Sequence, residues 1–170
     1  MHNSRLLESI NIVTGTPPTD GNSSFTSDYI SLKNYSGCLV VVTKAAGTSG
    51  DDISLQLYQA TDVAATGEKA LTCIRNVYSK VGTQTSTGAW TRTDMTATAD
   101  YDTAALTTGG VEGLFVLDVR GSDLDADNGF DCITFKNDGA DLGNACNMTV
   151  HYILYGANYP QKLPTTAIVD

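Results

Sequence analysis

The residues able to do chemistry in this chain are few: two histidines, four cysteines and a set of loop carboxylates. The run Asp123-Leu124-Asp125-Ala126-Asp127-Asn128-Gly129 has the alternating carboxylates of a calcium loop. An EF-hand loop needs glycine at its sixth position and a bidentate glutamate at its twelfth. Counted from Asp123, those positions hold Asn128 and Thr134, so the run reads as an acidic connection between two strands, with a non-EF calcium site on Asp123, Asp125 and Asp127 as the alternative. Zinc sites and catalytic triads need His or Cys side chains converging on one point. His2 lies in the polar start, and His151 sits in an apolar run with no nucleophile that the spacing places beside it. Cys38, Cys73, Cys132 and Cys146 form no CxxC motif and read as small buried hydrophobes of a reducing compartment. Asp51, Asp52 and Asp118 show no pairing of the kind glycoside hydrolysis requires. Gly47-Thr48-Ser49-Gly50 lacks the Lys of a phosphate-binding loop, and the two aspartates after it repel phosphate. Trp90 and the tyrosines could stack on a sugar ring, but Tyr58, Tyr78 and Tyr152 fall inside strand patterns that already account for them. The expectation is a protein without enzymatic activity, catalytic residues, metal or cofactor.

The elements that would position such residues are strands. In 170 residues, 41% are hydrophobic and only 17% charged, a low charged fraction for a soluble domain. Ile53, Leu55 and Leu57 alternate with Ser54, Gln56 and Tyr58, which is the period of a half-buried strand. Cys38–Thr43 is a continuous apolar run, expected as a central strand covered on both faces, and Gly113–Val119 is a second apolar strand. Further strands are expected at Tyr29–Leu32, Leu71–Val81, Cys132–Lys136 and Met148–Tyr155. Thr14–Asn22, with its Pro, Gly and Asn, reads as loop, and Gly82–Asp100 as a long excursion with room for one weak strand. No stretch has a helical period. About eight strands with turn signals between them predict an all-β chain: one β-sandwich domain spanning 1–170, of jelly-roll type.

The balance of 10 basic and 19 acidic residues gives a net charge of −9. Phosphate affinity comes from clustered Lys and Arg, so nucleic acid and anionic membrane surfaces are excluded as partners. No run of 18 apolar residues is present, and Met1–Ile10 has no apolar run of signal-peptide length, so manufacture in a cytoplasm is expected. Asn22-Ser23-Ser24, Asn34-Tyr35-Ser36 and Asn147-Met148-Thr149 are then chance glycosylation matches.

Both ends read as extended arms carrying apolar groups. Residues 1–20 form an N-terminal arm and loop, with Leu6, Leu7 and Ile10. Residues 159–170 form a C-terminal arm punctuated by proline, with Tyr159, Leu163, Ile168 and Val169. An extended apolar arm gains stability only where a surface buries it, which makes these seven residues the expected interface.

Several segments resemble small structural proteins of tailed bacteriophages. They include Ile30-Ser31-Leu32-Lys33-Asn34-Tyr35, Ala46–Asp52 after the valine-rich strand, and Gln59-Ala60-Thr61-Asp62-Val63-Ala64. Gly129-Phe130-Asp131-Cys132-Ile133 and Leu163–Asp170 belong with them, so that about half the chain, mainly 29–70 and 129–170, carries the resemblance. It implies a capsid decoration (cement) protein: a β-sandwich or jelly roll, commonly trimeric, clamping major capsid proteins on the outer surface of the virion at threefold and quasi-threefold positions. Its partners would be the major capsid protein and its own copies. A fibre or receptor-binding module recognising a host glycan is the alternative.

Overall fold

A computed structural model describes residues 6–47, 53–82, 89–103, 112–138, 146–158 and 168. The described residues form two antiparallel sheets. Their strands are β1 (Ile10–Asp20), β2 (Phe25–Thr26), β3 (Ile30–Ser31), β4 (Tyr35–Lys44), β5 (Ser54–Ala60), β6 (Lys69–Ala70), β7 (Ile74–Val81), β8 (Thr91–Thr98), β9 (Asp100–Asp102), β10 (Gly113–Arg120), β11 (Cys132–Asn137) and β12 (Asn147–Ala157). The first sheet runs β1-β12-β4-β10-β7-β8. The second runs β2-β11-β5-β6, with β3 also on β11 and β9 also on β5. The chain passes from one sheet to the other after β1, β3, β4, β6, β8, β9, β10 and β11. This is the interleaved Greek-key order of a jelly roll, extended at one end by the β7–β8 hairpin.

The core lies between the sheets and follows strict alternation. Val40 and Val42 of β4, Phe115 and Leu117 of β10, and Val150, Tyr152 and Leu154 of β12 point inward, where they meet Leu55 and Leu57 of β5 and Ile133 and Phe135 of β11. All of these are at most 1% exposed. One polar device ties the layers together. The Tyr152 hydroxyl crosses the core to hydrogen-bond Ser27, and it accepts the Phe135 N–H at 2.9 Å. Thr134 Oγ1 donates to the Ser27 carbonyl at 2.7 Å, so the hydroxyls buried there have partners. Gly15 makes room for that tyrosine: a Cβ at residue 15 would stand 2.3 Å from the Tyr152 ring.

Two expectations need correction. Thr14–Asp20 is the second half of β1, not loop, so Ile10–Asp20 is built into the first sheet rather than being a free arm. Pro17 and Pro18 are tolerated because β1 is an edge strand, and its pairing with β12 slips between Thr14 and Thr16 and again between Thr16 and Thr19. The excursion at Gly82–Asp100 includes one weak strand, as expected: β8, eight residues with hardly any apolar alternation, held by hairpin pairing to β7. The acidic stretch forms two 3-10 turns, Gly121–Asp123 and Ala126–Asn128, and a third such turn, Leu6–Glu8, precedes β1. Second, β4 is central but covered on one face, not both, and so is β10 beside it. Tyr159, Leu163, Val169 and all of the C-terminal arm except Ile168 lie outside the described residues.

Candidate interaction surface

The inward residues of the first sheet leave their neighbours in sequence on the outside. Among the described residues no element packs over that side. Register aligns these outward residues in rows across the sheet. One row runs Ile12–Ile153–Leu39–Asp118. The next runs Thr14–His151–Val41–Val116–Tyr78–Arg92. A third runs Thr149–Thr43–Leu114–Lys80. Leu39, Val41, Leu114, Val116 and Ile153 are half-buried by one another, while Ile12 is 53% and Tyr78 37% exposed. Outer faces of antiparallel sandwiches are ordinarily polar. Here the middle of the face is aliphatic over several adjacent strands. With strands about 4.8 Å apart, that covers on the order of 400 Å², within the range of the largest apolar patch on an ordinary monomer, a patch that is often functional.

The rim of the face is charged and hydrogen-bonded. The Tyr155 hydroxyl donates to Asp118 at 2.6 Å, and burial together with that carboxylate holds the phenol well above its ordinary range. Asp118 also lines a cleft of about 300 Å³ with Cys73, Arg75, Asn76, Arg120, Ser122 and Asp123. Arg75 pairs with Asp123 at 3.1 Å in that cleft. Burial, reinforced by Asp123, pushes the Cys73 thiol up to about 12. It is therefore protonated at neutral pH and a poor nucleophile. On the far side of the sheet the exposed Trp90 precedes β8, and Arg92 stands over the Tyr78 ring at 5.8 Å.

The residues singled out for chemistry are dispersed. His151 stands on the open face, its Nδ1 3.4 Å from Thr14 Oγ1. A hydroxyl–imidazole contact becomes a nucleophilic pair only with a third group orienting the ring and donors for an oxyanion. The residues level with this pair in its row are Val41, Val116, Tyr78 and Arg92. The acidic run is engaged by separate cations. Asp125 pairs with Lys69 and accepts from Asn128, which holds its carboxyl below the usual range. Asp123 meets Arg75 and accepts the Arg120 N–H. Among the described residues no three metal-ligating side chains come together. Of the expected interface residues, Leu6 and Leu7 are 70% and 60% exposed on the turn before β1. Ile10 belongs to β1 opposite Tyr155, and Ile168 is 38% exposed. The aliphatic face itself was not among the sequence expectations.

No family model and no curated protein sequence matches the chain. One solved structure, that of the SPBc2 prophage-derived protein YomS, is similar over 85% of this chain and 91% of that one. The identity is 11% and the TM-score 0.36. The overlap is loose, and the functional reading rests on this chain's own residues.

Proposed function

We propose that this protein is a virion structural protein that binds the outside of an icosahedral phage capsid and stabilises contacts between major capsid proteins. The observation that carries the reading is the aliphatic outer face of the first sheet, a surface suited to burial against another protein. Two features support it. The net charge of −9 suits a position away from packaged nucleic acid. The segments 29–70 and 129–170 resemble small phage structural proteins. Such a protein works by buried area, with many copies each adding a modest contact that the lattice makes jointly effective.

The test is copy number in purified particles, by quantitative mass spectrometry. Hundreds of copies in a simple ratio to the major shell protein are expected. Absence from the particle would sink the reading. A handful of copies would instead favour a fibre module binding a host glycan, a reading to which the exposed Trp90, 55% accessible, lends itself. Loss of glycan binding in Trp90→Ala would then decide it.

A further inference from the structure

The four ends of the two sheets are not alike. The outer strands of the second sheet, β2 and β3 on β11 and β6 and β9 on β5, are only two or three residues long, too short to template another chain. The first sheet ends on one side in β1, where Pro17 and Pro18 donate no ladder hydrogen bonds and the register slips twice. Its other end is β8, Thr91–Thr98, eight residues without proline or lysine. Among the described residues no strand lies beyond it. The register of β8 on β7 is regular from Thr91 to Asp94, and the irregularity falls after that point.

The charges on this edge are arranged symmetrically. Arg92 and Asp94 flank Thr93, point to the same side of the sheet and pair with each other at 2.7 Å, both more than half exposed. If a second β8 lies antiparallel to the first with Thr93 opposite Thr93, each Arg92 faces an Asp94 and each Asp94 faces an Arg92. Moving the pivot by one residue to either side sets Arg92 against Arg92 or Asp94 against Asp94. Like charges directly opposite are destabilising and unlike charges favourable, so the pattern selects one register.

We propose that β8 is a self-pairing edge: two copies of this chain join antiparallel through residues 91–95 about a twofold axis at Thr93, making one continuous sheet of the two first sheets. The contact is short, of the low-area class, and partly ionic, so the association is weak and salt-sensitive. On a particle, a twofold link of this kind would join neighbouring copies to one another as well as to the shell. The pairing does not depend on the virion reading. A chain that pairs but is absent from particles defeats only that reading, and a chain that decorates particles as a monomer defeats only this one.

The experiment is sedimentation velocity at low ionic strength over a range of concentrations, on the full chain and on two variants. Arg92→Asp places two acidic residues on the edge, and Asp94→Arg places two basic ones. Each breaks the pair within its own strand. The wild type is expected to show a reversible monomer–dimer equilibrium, each variant alone to lose the dimer, and an equimolar mixture of the two to regain it. Recovery in the mixture cannot come from an intrastrand ion pair, because neither variant retains one. A wild type that stays monomeric or forms trimers, or single variants that dimerise like the wild type, would overturn the proposal. Thr93→Cys gives a second reading if either charge variant misfolds. Directly opposed residues in an antiparallel pair have Cα atoms about 4.5–5.5 Å apart, within disulfide range. Mild oxidation should therefore give a covalent dimer for Thr93→Cys and none for Thr14→Cys on the β1 edge. Failure of Thr93→Cys to cross-link would also overturn it.

Discussion

The two faces of the first sheet are built from the same strands and nearly the same residue types, yet they have different fates. Inward, Val40, Val42, Phe115 and Leu117 are at most 1% exposed, because the second sheet lies over them. Outward, Leu39, Val41, Leu114 and Val116 are screened only by their neighbours. What separates the two is the existence of a second layer on one side. The difference teaches that an apolar residue in a strand reports burial by something, without saying whether that cover belongs to the same chain. Here the cover on one side is the fold, and on the other it is the proposed partner.

The sharpest way to break this comparison is to excavate the inner face. Phe115→Ala removes a fully buried ring from the middle of the core, at a cost of about 3–5 kcal/mol. Chemical denaturation should register that loss in the midpoint with little change in slope. A cost below about 1 kcal/mol would mean that the inner face is loosely packed and that the contrast between the faces is false.

Much of the architecture was legible before any coordinates. The alternation at 53–59 placed β5 and its inward Leu55 and Leu57, and the apolar runs marked β4 as a central strand and β10 as a strand. The misses have physical causes. β1 continues through Gly15, Pro17 and Pro18 because one side of an edge strand has no ladder to satisfy, and because Gly15 is needed beneath the Tyr152 ring. β8 reads only as a weak strand because it carries threonines where a strand pattern would show apolar alternation, so its strand state depends on pairing with β7. The interaction face was hidden by the same runs that revealed β4 and β10. The run at Cys38–Thr43 was read as covered on both sides, although a chain with no helical period has only two layers to offer, and each sheet must then leave one side open. The expected interface residues came instead from the termini, where only Leu6, Leu7, Ile10 and Ile168 can be located.

A smaller effect tests how the inner face is joined to the second sheet. Tyr152→Phe keeps the ring beneath Gly15 and deletes the hydroxyl that bonds Ser27 and accepts from Phe135. The Phe135 N–H still reaches Ser27 Oγ at 3.1 Å, so no donor is left orphaned there. The expected loss is therefore about 1 kcal/mol, the net worth of a buried hydrogen bond. A loss above about 3 kcal/mol would show that this one hydroxyl, more than apolar burial, holds the layers in register.

The finest discrimination uses adjacent valines on one strand and the same near-isosteric change. Val42→Thr puts a hydroxyl into a fully buried site, and without a partner that costs about 1–3 kcal/mol. Val41→Thr puts it on the half-buried outer face, between His151 and Val116, where water can reach it. Its effect on stability should stay within about 0.5 kcal/mol. Binding to particles should respond in the opposite sense. Val41→Thr should weaken it, because the hydroxyl loses its water when the shell covers the face, whereas Val42→Thr should leave the affinity of the folded fraction unchanged. Equal effects of the two variants on stability would erase the distinction between the faces. Full particle binding by Val41→Thr would place the docking surface elsewhere on the sandwich.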